Sequence, residues 1–305
     1  MNFVLTEEQF IKNISVPKGV VDVVLDTDAY NEIDDQFAIS YLLKSKEKLN
    51  TKAIYAAPFL NSRSCSAEDG MEKSYLEILK LLSLLEEEVE VFKGSRSFLQ
   101  DEKTPVASDA AKDLAERVKD YSPENPLYVV AIGAITNVAS AMLLNPDVAK
   151  NTVVVWLAGN AHHYKDTYEF NMRQDIAAAR VVMGSGVPFV QLPGVGVVSA
   201  FTVSGCELEY WLKGKGALAD YLALGTIEEA ESYAKGKPWT RPIWDVTAIA
   251  WLLNDEEQFM ESRIEQIRKP QYDSIYEQES SCLMSYVYHI KRDNLMTDLF
   301  KKLTD

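Results

Sequence analysis

The sequence predicts an α/β protein, an open and mainly parallel sheet with helices on both faces and a helical C-terminal part. Three observations predict it. Short apolar runs alternate with amphipathic, helix-spaced runs from Val20 to Leu192. This β-α rhythm implies parallel strands joined by right-handed crossovers. Five carboxylates, Asp26, Asp28, Glu32, Asp34 and Asp35, crowd the turn between the first apolar run and the first helical one, where sheets of this kind place their ligand sites.

The elements follow in order. Val20 to Leu25 reads as a buried strand interrupted by Asp22. Ile33 to Leu43 resumes at helical spacing, with Ile33, Phe37 and Tyr41 one turn apart. Lys52 to Ala57 is a second strand. Met71 to Leu85 is a strongly amphipathic helix with Met71, Tyr75, Ile78, Leu79, Leu82 and Leu85 on one face. Val89 to Phe92 is a short strand and Ala110 to Val118 a helix. Leu127 to Ile132 is a strand, and Asn137 to Leu144 a helix that stops before Pro146. Thr152 to Ala158 is a strand, Ile176 to Met183 a helix with Gly184 past its end, and Phe189 to Leu192 the next strand. From about Glu207 the chain reads as mostly helical, with Trp211 to Trp239 expected to be an excursion from the core. No linker or internal repeat interrupts it, so a single domain over residues 1–305 is expected.

Composition excludes several function classes. Lys and Arg number 31 against 46 Asp and Glu, a net charge of −15. That disfavours nucleic acid or an anionic membrane surface as partner. Three widely spaced cysteines, Cys65, Cys206 and Cys282, make neither a disulfide framework nor a zinc site. Reduced thiols in a cytoplasmic protein are expected. The N-terminal MNFVLTEEQFIKN lacks a basic stretch followed by an apolar core, so no signal peptide is expected. No apolar run reaches membrane-spanning length.

The acidic turn carries the chemistry. A helix N-terminus favours one carboxylate; five within ten residues repel one another unless a cation sits among them. Hard oxygen ligands at close quarters point to calcium or magnesium. Other polar groups follow later strands: Asn61, the GAITN segment from Gly133 to Asn137, the stretch from Ala158 to Asn171, and Asp245 opening an apolar helix. Singly these have bland explanations. Thr136 or Asp245 could cap a helix, and Asn61 could be a turn residue.

Together they resemble the nucleoside hydrolase family, the inosine-uridine type of N-ribohydrolase. The matching residues are DTD and DD (Asp26, Asp28, Asp34, Asp35), the GxxTN segment (Gly133, Thr136, Asn137), EFN (Glu169, Phe170, Asn171) and Asp245, in order across residues 20 to 253. The resemblance implies a calcium-dependent N-glycosidase that releases ribose and free base. The calcium ligands would be Asp28, Asp35, the Thr136 carbonyl and Asp245, with Asp28 as general base. Asp34 would bind a ribose hydroxyl or water, and Asn61, Glu169 and Asn171 the remaining hydroxyls. The partner expected is a small-molecule nucleoside, and the chain is expected to act as a homo-oligomer, a dimer or tetramer.

The sequence departs from the family pattern in three places. Five residues, Ala29 to Ile33, separate Asp28 from the Asp34–Asp35 pair where three are usual, so Asn31 or Glu32 is a candidate to enter the shell. Trp244 stands where many members carry a His that protonates the leaving base. Purine-preferring members are similar in placing a stacking Trp there, which implies a lean toward purine nucleosides. The loop before EFN is short, leaving Asn160 and His163 as candidates for the usual Asn, and His162 and His163 as candidate replacement acids. A haloacid dehalogenase-type phosphatase would use Asp26 and Asp28 but explains neither Asp34–Asp35 nor EFN. A non-catalytic ribose or nucleoside binding protein, or a hydrolase of another ribosylated compound such as a nicotinamide riboside, fits the same residues.

Overall fold

In the computed structural model, which describes residues 5–277 and 280–305, eight strands form one sheet. Residues 1–4, the head of the stretch read for a leader, lie outside the described residues. The strands that build the sheet's first half are β1 (Val21–Thr27), β2 (Leu49–Ala56), β3 (Glu90–Lys93), β4 (Leu127–Ala131), β5 (Thr152–Leu157) and β6 (Phe189–Leu192). A short pair, β7 (Thr202–Ser204) and β8 (Thr240–Pro242), forms a separate antiparallel ribbon. β9 (Met260–Gln266) and β10 (Leu283–Ile290) complete the large sheet, whose order is β3-β2-β1-β4-β5-β6-β10-β9. Every pairing is parallel except β10 with the edge strand β9.

The helices are α1 (Glu7–Asn13), α2 (Asp34–Leu43), α3 (Ala67–Leu85), α4 (Asp109–Arg117), α5 (Thr136–Leu144) and α6 (Asp147–Asn151). The second half adds α7 (Phe170–Gln174), α8 (Ile176–Gly184), α9 (Gly205–Trp211), α10 (Ala217–Ala234), α11 (Val246–Leu252) and α12 (Arg292–Thr304). Because strand side chains alternate between faces, the central strands feed two separate cores. Val23, Leu25, Val130 and Val155 pack with α2, α3, α10, α11 and α12. Val24, Val129, Val154 and Trp156 pack on the other face with α4, α5 and α8. The predicted open sheet with helices on both faces is therefore the observed one.

Two differences from the sequence reading have physical causes. The C-terminal part carries helices as expected but also, among the described residues, three strands, β8, β9 and β10. β9 is an exposed edge strand, MESRIEQ, whose charged side chains hide its strand character while protecting the edge. Residues 211–239 are not an excursion: α10 buries Leu218, Ala219, Leu222 and Ala223 in the larger core. The Asp22 that interrupts the first strand lies at its start, where its carboxylate accepts from Asn50 (2.6 Å) and Tyr121 (2.8 Å). The three cysteines are free thiols. Among the described residues no helix is long and apolar enough to cross a membrane.

Candidate active site

Asp26 is the last residue but one of β1, which ends at Thr27, and Asp28 follows directly. The chain then makes a turn, with Asn31 N–H donating to the Asp28 carbonyl (2.7 Å), and enters α2 at Asp34 and Asp35. The sheet order brings the ends of β4 and β5 alongside. Gly133, just past β4, is where the GxxTN segment needs no side chain: a Cβ there would stand 2.9 Å from Asp28 Oδ1. The Asn137 amide donates to Asp26 Oδ1 (2.8 Å) and its carbonyl accepts from Ser95 N (2.7 Å). That pair ties α5 to β1 and to the loop after β3. Asp26 and Asn137 are thus a buried brace beneath the site.

From the far end of the chain, Asp245 arrives ahead of α11, which packs against α2. It makes no side-chain cap to its helix, so its carboxylate is free for the site. Oxygens of Asp34, Asp35 and Asp245 lie within 4.8 Å of one another, all buried. Thr27 Oγ1 donates to Asp35 Oδ1 (2.5 Å). Asp28 Oδ2 and Asp34 Oδ1 are buried with no hydrogen-bond partner, an arrangement that costs free energy unless something electropositive meets them. Burial first, then repulsion from Asp34 and Asp35 among others, holds Asp28 and Asp245 well above the ordinary carboxylate range. Burial and Asp34 do the same to Asp35. Asp34 itself is pushed up to about 7, mainly by burial. These hard oxygens, orphaned and mutually repelling, fit a divalent cation.

The carboxylates floor a cavity of about 340 Å³ lined by Asp28, Asn31, Glu32, Asp34, Asp35 and Asp245, with walls that include Ile132, Leu157, Tyr168, Phe170, Arg173, Val195 and Trp244. Glu169 and Asn171 line it as well. Glu169 caps α7, accepting from Asn171 N (3.0 Å) and Met172 N (3.1 Å), and holds Gly159 N (2.8 Å). Asn171 spends its amide N–H groups on the carbonyls of Ile132 and Leu157, both at 3.0 Å. That bridges the ends of β4 and β5 and leaves its side-chain oxygen as the acceptor it can offer a ligand.

The structure brings most of the expected residues together and sets others apart. Asp28, Asp34, Asp35, Glu169, Asn171, Trp244 and Asp245 share the cavity. Thr136 is buried at the start of α5 and is not part of the lining; its hydroxyl donates to Asp175 Oδ2 (2.7 Å). Asn61 is also off the lining but donates to Asn31 Oδ1 (2.6 Å), which is on it. Asn160 turns away to Asp166, donating to its Oδ1 (2.8 Å) and carbonyl (3.1 Å). His162 packs against Tyr276 and Tyr286, with Nδ1 2.7 Å from Glu265. His163 is exposed beside Tyr164. None of the three histidines lines the cavity.

Sequence reasoning missed Arg241 and Arg173. The Arg241 side chain is 8% exposed and bridges Glu32 (3.2 Å) and Glu229 (3.3 Å), and Glu229 also pairs with Arg63. This network anchors the longer stretch between Asp28 and Asp34. Glu32 itself was the signal, since an added carboxylate that lines a cavity needs a counter-charge. Arg173 stacks on Tyr168 (4.7 Å) and Phe170 (5.6 Å) at the cavity; no sequence spacing marks it.

Comparison with known proteins agrees with this geometry. The sequence model of one family, inosine-uridine preferring nucleoside hydrolase, matches residues 23–282. A pyrimidine-specific ribonucleoside hydrolase RihA of Salmonella paratyphi A is 24% identical over 263 residues, 77% of this chain and 80% of that protein. Among solved structures, a plant nucleoside hydrolase superposes with a TM-score of 0.74 at 19% identity, covering 93% of this chain and 99% of that one. A purine-preferring ribonucleoside hydrolase from Gardnerella vaginalis gives 0.71 at 18% identity, covering 93% and 98%.

Proposed function

The chain belongs to the inosine-uridine preferring nucleoside hydrolase family and is an N-glycosidase, and we propose that it splits ribonucleosides into ribose and free base with calcium at the acidic floor and a lean toward purines. The observation that carries this is the convergence of Asp28, Asp34, Asp35 and Asp245, from two distant segments, in one cavity with two orphaned buried oxygens. Asp28, Asp35, Asp245 and the Thr136 carbonyl would hold the ion, with Asp34 beside them. When bound, it supplies Lewis acidity that grips a sugar diol and makes a water more acidic.

The chain's own groups do the rest. Asp28 takes the proton of the attacking water. Asp34, Glu169 and the Asn171 side-chain oxygen accept ribose hydroxyls, and Asn61 acts through Asn31, which it holds in place. The floor carboxylates stabilise positive charge growing on the sugar. On this reading the enzyme works in the cytoplasm, one domain per subunit of a dimer or tetramer. Its partners are free nucleosides, not nucleic acid. The test is release of free ribose from inosine, guanosine, uridine and cytidine, with calcium and with chelator. Release that persists undiminished in chelator overturns the metal assignment.

The purine lean rests on Trp244, which lines the cavity beside Asp245. The named relatives differ, one pyrimidine-specific and one purine-preferring. Stacking of a base on an aromatic is worth about 1–3 kcal/mol in nucleic-acid sites. Trp244→Ala is therefore expected to lower kcat/KM for purine nucleosides about tenfold or more. Trp244 also packs against the core, so equal losses for purine and pyrimidine substrates would assign it a folding role instead.

A further inference from the structure

Glu169 reaches the cavity from a loop, not from β1 or α2. Its carboxylate accepts three backbone N–H groups, and two of them, those of Asn171 and Met172, belong to the helix it caps. The third comes from Gly159, just past β5, at 2.8 Å. Where Gly159 stands therefore decides where Glu169 is aimed.

Gly159 is fixed on both sides. Its carbonyl accepts from Gly194 N (2.8 Å). The next three residues are then tied in turn. The Asn160 carbonyl accepts from Tyr276 Oη (2.6 Å), Ala161 N–H donates to the Val195 carbonyl (2.8 Å), and His162 N–H donates to Tyr286 Oη (3.0 Å). The fit is close, since a Cβ on Gly159 would stand 2.6 Å from Tyr276 Oη.

His162 is the far anchor of this loop. Its side chain is 7% exposed, its ring lies against Tyr276 and Tyr286, and its Nδ1 is 2.7 Å from Glu265 on the edge strand β9. Arg263 pairs with the same Glu265 from β9, and Arg268 beyond that strand adds a positive charge nearby. Burial outweighs Glu265 and holds the imidazole below its ordinary range. At neutral pH the ring is therefore uncharged and gives its Nδ1–H to the carboxylate. It does not line the cavity, so whatever it does for a substrate it does through the loop.

Resting on the assignment of Glu169 to a ribose hydroxyl above, we propose that His162, through its hydrogen bond to Glu265, is a positioning residue for turnover: it fixes residues 159–162 on β9 and β10, and with them the Gly159 N–H that aims Glu169. The pair β9–β10 lines no part of the cavity and yet serves it as a buttress.

The test is a double-mutant cycle on ribose release from inosine with calcium present. His162→Ala should lower kcat/KM about 10–100-fold, the cost of a misplacement of up to about 1 Å in the groups that hold a substrate. In a Glu169→Gln background the same change should cost less than about threefold, because a residue that acts only through Glu169 then has nothing left to aim. His162→Asn, which puts an N–H close to where Nδ1 stands, should recover most of the lost rate. Glu265→Leu should match His162→Ala, and Glu265→Gln, which keeps an acceptor for the ring, should stay near wild type. Glu265 lies on an edge strand, so this second pair decides the matter if His162→Ala folds poorly. Equal losses in both backgrounds, or no loss in His162→Ala and Glu265→Leu, overturn the proposal. A His162→Asn variant as slow as His162→Ala overturns it as well. So does a wild-type rate limb between about pH 5 and 7 that His162→Asn removes, since His162 would then be titrating as an acid in turnover. A wild-type protein that releases ribose from no nucleoside would sink the reading on which this rests, whereas an active wild type with an additive cycle sinks this inference alone.

Discussion

Replacing Asp28 by Asn is expected to lower ribose release by about 10²–10⁴-fold, the range for loss of a general base. The substitution keeps the side chain's shape beside Gly133, where there is no space to spare, so the loss should come from chemistry and not from packing. Asp245→Ala should be at least as damaging. It removes one of three carboxylates whose oxygens lie within 4.8 Å, and with it a ligand of the proposed ion. A second readout separates function from folding. Asp28 is held well above the ordinary carboxylate range by burial and by Asp35 and Asp34, so Asn there relieves both costs. The Asp28→Asn protein should melt no lower than wild type in chelator, and higher if the repulsion is substantial. Full activity in Asp28→Asn would refute its role as base, and full activity in Asp245→Ala would refute the metal assignment. A variant that is inactive because it is unfolded would show itself in the melting curve.

The first half of the fold was legible because its strands are short apolar runs that alternate with helical ones; apart from the short helices α6 and α7, which were not expected, the elements found between Val21 and Leu192 begin and end within a few residues of those expected. Legibility failed where a strand faces solvent. β9 reads Met-Glu-Ser-Arg-Ile-Glu-Gln and shows its role only through its pairing with β10. In the site, the carboxylates were legible because strand, turn and helix are consecutive in sequence. Asp245 stood out locally only as the opening of an apolar helix, and its place at the floor was legible only through the resemblance, since nothing local shows that a residue reaches the floor from more than two hundred positions away. Of the walls, Trp244 and Phe170 were legible through the resemblance, and others were not. Tyr168, Arg173 and Val195 belong to loops and a short helix whose placement depends on tertiary packing. Asn160 illustrates the converse, a polar residue of suitable type next to the site that Asp166 turns elsewhere.

Calcium is expected to stabilise the protein more at pH 7.5 than at pH 5, and the reason lies in the buried carboxylates. Asp26 and Asp34 are both pushed from the ordinary 3.8 up to about 7, chiefly by burial. A folded-state pKa raised above the unfolded one means that the folded protein binds more protons. Stability is then fully present below about pH 4 and is lost as pH rises toward and through about 7. In chelator the melting temperature should therefore fall between pH 5 and pH 7.5. A cation at the floor needs the ligands deprotonated, so its binding strengthens over the same interval. At a concentration about 100 times its Kd, calcium adds about 2.7 kcal/mol, which corresponds to roughly 4 °C for a chain of 305 residues. Asp26 sits beneath the floor, bonded to Asn137, and is outside the proposed ligand set. Its share of the pH dependence should persist with calcium bound and disappear in Asp26→Asn, which keeps an acceptor for the Asn137 amide. Melting curves at the two pH values, with calcium and with chelator, decide the matter. A calcium shift of equal size at both would mean that the ion binds elsewhere, and no shift at either would mean that the acidic floor does not hold calcium.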